Sequence, residues 1–389
     1  MPKDLSLDGG PISIADVVGV ARRGLRVRVA SGAMAKVKAS RRVIEARLSD
    51  GQAHYGINTG FGSLARKRIG QDDLDTLQRN LIRSHTAGVG EPLSREVTRA
   101  MMVCLAGSLS RGHSGVRPEV IQLLVGMLNK GVTPVVASIG SVGASGDLAP
   151  LAAVALAMIG EGACELDSKV SPSEKALAAA GLKPITLKAK EGLALINGTH
   201  LMCGRGALLC ADAATLQGAA EAALAMSIDA CRASHSFLDP RLYIARNQPE
   251  LLMVGGRVSA LLRGSAIRES HREDDPRVQD PYSLRAGVTV LGAAAAQLNE
   301  VTARVTAELG AVTDNPLVFQ NAGGTADIVS GANFHGMPLA IPLDTLAIAV
   351  FHIAGISERR SYLLTGAFDP ESHLKPFLTP QPGLSSGLM

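Results

Sequence analysis

Ser145 stands inside a glycine-rich run, Gly140-Ser141-Val142-Gly143-Ala144-Ser145-Gly146-Asp147, and three chemistries are open to a serine so placed. A hydrolase nucleophile needs G-x-S-x-G on a sharp strand-to-helix turn. Here the second glycine comes one place early and an aspartate follows it, which weakens that reading. A phosphate cradle needs a Lys-Ser/Thr pair behind its glycines, or a strand ahead of G-x-G-x-x-G. Neither is present, and Asp147 at the start of the following apolar run repels an anion there.

The third chemistry is self-modification. If the Gly146 amide nitrogen attacks the Ala144 carbonyl, a five-membered ring closes, and loss of two waters, one from the Ser145 hydroxyl, leaves a strongly electrophilic exocyclic methylene. Glycine lets its nitrogen approach closely, alanine keeps the attacked carbonyl uncrowded, and serine supplies the leaving hydroxyl. Helix-terminal dipoles and Asp147 are suited to hold the strained turn. The tripeptide alone is common, and a lone copy is an ordinary turn.

Such a loop works on a rigid scaffold, and the rest of the chain predicts a mainly α one. Apolar residues recur at three- and four-residue spacing, while alternating runs of Val, Ile and Thr are short and scarce. In the first half the predicted helices are brief and punctuated by glycine-rich loops, the 140–147 run and Gly56-Ile57-Asn58-Thr59-Gly60-Phe61-Gly62. Three long Ala- and Leu-rich segments follow, 199–234, 283–310 and 335–364, each ~40 to 50 Å long if continuous. Helices so long, and apolar on most of their circumference, need several neighbours. The prediction is a bundle that also buries surface against other subunits. The expected division is an N-terminal domain, 1–196, carrying the electrophile loop, and a long-helix bundle, 197–389. The charged run 268–275 reads as a solvated loop.

With 389 residues and 46% hydrophobic content, the chain buries a large core without staples. Its net charge is only +4, and its longest basic block is Arg66-Lys67-Arg68. The expected partner is therefore a small molecule, not nucleic acid or a membrane surface. Five cysteines (Cys104, Cys164, Cys203, Cys210, Cys231) without a C-x-x-C pair argue against a disulfide framework and a zinc site. No metal is expected, and a reducing, cytoplasmic compartment is. The start, Met1-Pro2-Lys3-Asp4 with Gly9 and Gly10, lacks the apolar core of a signal peptide. The stretch 148–159 falls short of the ~20 residues that span a bilayer. Charged residues, Arg205, Asp212, Glu221 and Asp229, interrupt 201–230. Both stretches are expected as buried bundle helices.

The longer string from Gly140 through Asp147-Leu148-Ala149-Pro150-Leu151 is far more specific than its central tripeptide, and it resembles the signature of the aromatic amino acid ammonia-lyases. Four further stretches resemble that family's other motifs: Tyr55-Gly56-Ile57-Asn58-Thr59-Gly60-Phe61-Gly62, Asn197-Gly198-Thr199, Gln279-Asp280-Pro281-Tyr282-Ser283-Leu284-Arg285 and Asp314-Asn315-Pro316-Leu317. Similarity covers nearly the whole chain. Ser84-His85 and Asn333-Phe334-His335-Gly336 resemble the histidine-specific branch, whereas phenylalanine-specific members carry apolar residues in place of His85. The resemblance implies elimination of ammonia from L-histidine to give trans-urocanate, the first step of histidine degradation. It implies a 4-methylideneimidazole-5-one group formed autocatalytically from Ala144, Ser145 and Gly146, with no metal or dissociable cofactor. It further implies a homotetramer whose active sites combine residues from three subunits. A tyrosine ammonia-lyase or aminomutase of the same family is the neighbouring alternative.

Carried over by motif, Tyr55 and Tyr282 are the tyrosines near the electrophile. A β-proton is weakly acidic, so a base must be held close to it while the amine leaves; which tyrosine removes it stays open. Arg285 pairs with the substrate carboxylate through two parallel hydrogen bonds, and Asn197 and Gln279 add neutral donors. His85 contacts the substrate ring, Phe334 walls the pocket, and Asp147 and Gly62 support the two loops. Members of the histidine branch run further than Met389, and that further segment normally supplies an acid that helps hold the imidazole. Met337 stands where an acidic or polar residue often follows Phe-His-Gly. A chain without the segment is alternatively read as an inactive scaffold that keeps the bundle and acts through a partner.

Overall fold

A computed structural model describes residues 4–50, 52–60, 62, 68–273, 275–321 and 323–389. Phe61, Arg66, Lys67 and Asp274, which belong to motifs and charged runs named above, lie outside the described residues. The fold is mainly α, with strands of four residues or fewer. The long helices are His200–Ala230, Gly287–Glu308 and Met337–Gly366, close to the segments that apolar spacing predicts. Contacts group the chain into two units, Met1–Ala211 with Ala303–Ile341, and Asp212–Thr302 with Pro342–Met389. The boundaries between these units fall inside the three long helices. A helix of 30 residues is about 45 Å long, so its two ends meet different neighbours.

In the first unit, strands Asp4–Leu7 and Arg26–Val29 pair in parallel across the helix Ile14–Arg23. Ser13 starts that helix because its hydroxyl accepts the Asp16 N–H while the Asp16 carboxylate accepts the Ser13 N–H. Helix Arg95–Ser110, buried from Thr98 onward, packs on Ile14–Arg23 and on Pro118–Lys130. An all-round buried helix needs neighbours on every side. Met101, Met102, Leu105, Leu109, Ile121, Leu124 and Met127 are fully buried there. The Arg111 guanidinium reaches the Gly10, Leu309 and Ala311 carbonyls, satisfying groups that a helix end leaves without partners. Helices Leu148–Met158 and Glu191–Ile196 pack on each other and on Leu74–His85, a rigid trio from whose ends the loops of interest emerge.

In the second unit, Gly287 and Gly292 allow two neighbours to approach Gly287–Glu308 closely: a Cβ at Gly287 would stand 2.6 Å from Leu224 Cδ1, and one at Gly292 2.8 Å from the Leu251 Cα. The segment before Tyr282 is tied down by its own polar groups. Asp280 accepts the Ser234 N–H at 2.8 Å, and Arg277 donates to the Cys231 carbonyl at 2.7 Å and to Asp369 at 2.9 Å.

The helix Met337–Gly366 is long and apolar enough to cross a membrane by length and composition, and 22% of its apolar window is buried. All five cysteines are buried, and none of them is in a disulfide. Among the described residues no group of three or more His, Cys, Asp or Glu side chains is placed to hold a metal ion.

Candidate active site

Two chain segments arrive side by side at helix starts. The loop 140–147 enters Leu148–Met158, and Asn197, Gly198 and Thr199 enter His200–Ala230. Gly146 and Gly198 pair as a parallel bridge, and the Asp147 N–H donates to the Gly198 carbonyl at 2.7 Å. Asp147 then closes the junction. Its Oδ2 accepts the Leu201 and Met202 N–H groups at 2.7 and 3.0 Å, and its Oδ1 accepts the Ser141 hydroxyl at 2.6 Å. The carboxylate thus caps the long helix, where orphan amides and the positive dipole end favour it. Burial still pushes the Asp147 carboxyl above the usual carboxylate range, against those three bonds.

Ala144 is exposed, Ser145 half-buried and Gly146 buried. Gly143 and Gly146 have φ of 68° and 80°, the left-handed region that glycine enters without strain. A Cβ at Gly146 would stand 2.1 Å from the Gly198 oxygen, so glycine alone fits at this position. The Ser145 carbonyl accepts the Asn197 side-chain amide at 2.9 Å, and the Gly143 carbonyl accepts the Gly336 N–H at 2.7 Å. The turn is held from two sides while Ala144 faces solvent.

Further predicted residues lie in the first unit. Phe334, half-buried, lies two residues before Gly336 and shares its tether to Gly143. His85 ends the helix Leu74–His85, and its Nδ1 lies 2.9 Å from the Leu81 carbonyl and 3.0 Å from the Ser84 hydroxyl. Three residues on, Gly88 abuts the loop, its Cα 3.3 Å from where a Gly140 Cβ would stand. Tyr55 is half-buried on a turn that Asn58 organises, accepting the His54 N–H at 2.7 Å and donating to the Gln52 carbonyl at 2.8 Å. That turn rests on Leu193 and Pro316, which approach Gly56 so closely that a Cβ there would stand 2.7 and 3.2 Å from them. Gly62, exposed with φ 55°, follows.

Gln279, Tyr282 and Arg285 lie in the second unit. Arg285 Nε donates to the Asp280 carbonyl at 2.8 Å, and its guanidinium carbon lies 5.4 Å from the centroid of the exposed Tyr282 ring. Gln279 is exposed.

Motif and spacing do not single out several buried polar residues of the first unit. Lys190, wholly buried, donates to Asp314 Oδ2 at 2.6 Å, and Asp314 Oδ1 accepts the Ser114 hydroxyl at 3.0 Å. Glu191, also wholly buried, takes the Arg117 guanidinium at 2.8 Å through each oxygen. Leu193 and Pro316, which approach Gly56, follow these ions closely in the chain. The available signal was indirect: Asp314 opens the Asp314-Asn315-Pro316-Leu317 string, and Lys190-Glu191 sits directly before an apolar run.

The aromatic amino acid lyase family matches residues 12–389. A histidine ammonia-lyase of Sorangium cellulosum is 48% identical over 387 residues, which cover 98% of this chain and 75% of that relative. Among solved structures, histidine ammonia-lyase from Trypanosoma cruzi superposes with a TM-score of 0.89 at 38% identity, covering 99% of this chain and 71% of that one. The tyrosine aminomutase of Streptomyces globisporus superposes at 0.90 with 34% identity, covering 99% and 75%. The fold, the glycine bridge behind Ser145 and the match along nearly the whole length agree. The chain belongs to the aromatic amino acid lyase family.

Proposed function

We propose that this chain eliminates ammonia from L-histidine to give urocanate, using its own Ala144-Ser145-Gly146 as the source of the electrophile. The observation that carries the reading is the Gly146 to Gly198 bridge, with Asn197 and Asp147 bonded across it. The choice of histidine is supported by His85 and by identity of 48% to a relative named for that activity, against 34% to the aminomutase. The 4-methylideneimidazole-5-one formed from the tripeptide supplies an electrophile that turns the substrate amine into a leaving group.

The remaining work falls to side chains. Arg285, its Nε held by the Asp280 carbonyl, grips the substrate carboxylate with the rest of its planar fork. Asn197 and Gln279 contribute neutral hydrogen bonds. Tyr55 and Tyr282 move the protons, one of them taking the weakly acidic β-proton. His85 donates from Nδ1 to the Leu81 carbonyl, which leaves Nε2 as an acceptor for an imidazole N–H. Phe334 walls the ring, and Asp147 and Gly62 keep the loops in place.

The working form is a homotetramer with shared active sites, acting on a small molecule in the cytoplasm, where buried thiols stay reduced. Met226, Ile348 and Phe351, exposed by 73%, 61% and 69% in the single chain, offer apolar surface for other copies to cover.

The test is a panel of L-histidine, L-tyrosine and L-phenylalanine read by near-ultraviolet absorbance of the unsaturated products, with peptide mass measured across 144–146. Urocanate formation and a mass deficit of two waters are expected. Product from tyrosine and none from histidine overturns the substrate, and an intact tripeptide mass overturns the chemistry.

A further inference from the structure

Gly198 is wedged between two things. Its oxygen meets Gly146, while a Cβ on its own α-carbon would stand 2.6 Å from both His200 Cε1 and Thr313 Oγ1. Those two atoms belong to a buried polar cluster that reaches beyond the Asn197-Gly198-Thr199 motif. Thr313 Oγ1 accepts the Thr199 N–H at 3.3 Å and lies 3.5 Å from His200 Nε2. The Thr199 hydroxyl donates to the carboxylate of Glu308, the last residue of the helix Gly287–Glu308. Thr199, His200 and Thr313 are buried. Together with Cys104, Cys203 and Arg111 they line a space of about 10 Å³, no more than a single water needs. The cluster is closely packed against Gly198. Burial and the nearby Arg111 charge push His200 down to about 3, which keeps its ring neutral, and burial pushes the half-buried Glu308 carboxyl up.

Ring closure is sensitive to what this cluster controls. The bond forms between the Gly146 nitrogen and the Ala144 carbonyl carbon. The first water takes the Ala144 oxygen with the amide hydrogens of Gly146 and Ser145, and the second takes the Ser145 hydroxyl with its α-hydrogen. Reacting atoms must be held near contact, and a misplacement of ~1 Å costs about 10²-fold in rate.

We propose that Glu308, Thr199, Thr313 and His200 are positioning residues for formation of the electrophile: they clamp Gly198 against Gly146 and so hold the Gly146 nitrogen within reach of the Ala144 carbonyl. This rests on the reading of 144–146 as the precursor of that group. Thr199 is the pivot, because its backbone follows Gly198 directly and its hydroxyl is the link to Glu308.

The test follows ring formation in the full chain, by the fraction of the 140–151 peptide that lacks two waters at set times after cell-free synthesis. The variants are Thr199→Val, Thr199→Ser, Glu308→Ala and Glu308→Gln, with unfolding midpoints measured alongside. Thr199→Val and Glu308→Ala are expected to slow ring formation by roughly 10- to 100-fold, while Thr199→Ser and Glu308→Gln, which keep a hydrogen-bonding group in place, form the ring at the parent's rate. If Glu308→Ala does not fold, the near-isosteric Thr199→Val and Thr199→Ser pair decides. Thr199→Val at the parent's rate, or Thr199→Ser slowed as much as Thr199→Val, overturns the proposal. A parent chain without the mass deficit overturns the functional reading and this one with it, a result distinct from a normal parent beside normal variants.

Discussion

The Gly198 carbonyl oxygen lies 2.1 Å from where a Cβ on Gly146 would stand. Nothing but hydrogen fits between the two backbones, and the φ of 80° at Gly146 adds strain for any other residue. Gly146→Ala is expected to prevent the loss of two waters from 144–146 and to destabilise the chain by at least about 1–2 kcal/mol, from the left-handed backbone alone. Peptide mass and denaturant unfolding measure the two effects separately.

Asp147 links the loop 140–147 to the start of His200–Ala230 by accepting the Leu201 and Met202 amides. Replacement by alanine leaves those buried donors unpaired and is expected to cost about 1–3 kcal/mol. Asparagine keeps an acceptor for them and offers its amide to the Ser141 hydroxyl, so Asp147→Asn should retain most of the stability. Equal losses in the two variants would mean that charge, and not the cap, stabilises the junction.

His200 gives the protein an acid sensitivity of definite sign. Its pKa is lowered from 6.5 to about 3 on folding, so its contribution is full above about 6.5 and is lost as pH falls toward 3. Within that window the unfolded chain binds a proton that the folded chain refuses, a slope of up to about 1.4 kcal/mol per pH unit. Asp147 and Glu308 are raised instead. Their contributions run the opposite way, present at low pH and lost as pH rises through the folded pKa, which blunts the acid loss where the ranges overlap. Unfolding free energy measured across pH 3–6.5 should be flatter in His200→Asn than in the parent.

Lys190 and Asp314 are buried together. Removing only the cation leaves a carboxylate in the interior, so Lys190→Met is expected to destabilise by about 3–5 kcal/mol. Lys190→Met with Asp314→Leu should recover part of that, because the lone charge is gone. Denaturant midpoints of the single and double variants check this, and a double variant no better than Lys190→Met would assign the loss to packing.

Arg285→Lys tests the carboxylate grip. A point charge replaces a planar fork whose Nε is already committed to Asp280. Loss of one charge-assisted bond, about 1.5–3 kcal/mol, corresponds to roughly a 10- to 100-fold fall in kcat/KM for histidine. Steady-state kinetics with unchanged thermal stability would locate the effect in substrate binding.

Much of the architecture was legible in the order of residues. The three- and four-residue spacing and the Ala- and Leu-rich runs predict His200–Ala230, Gly287–Glu308 and Met337–Gly366 to within a few residues, because helix formation depends on near neighbours. The motif strings around Tyr55, Ser145, Asn197 and Arg285 were visible for the same reason: each is contiguous. Ser13 with Asp16 shows the same locality, since a capping box is written in four successive residues. The way contacts divide the long helices was not visible, because a periodic helix carries no mark of where its neighbours change.

The sequence by itself determined the motif string around Ala144-Ser145-Gly146 and the helical scaffold, both properties of residues adjacent in the chain. The tertiary structure decided which backbone lies against Gly146 and which carbonyl Asn197 holds, 52 residues away. It also decided that Lys190 meets Asp314 across 124 residues and that His200 is buried behind Gly198. Burial, long-range hydrogen bonds and the shifted protonation that follows from them depend on the path of the whole chain, and no local pattern encodes that path.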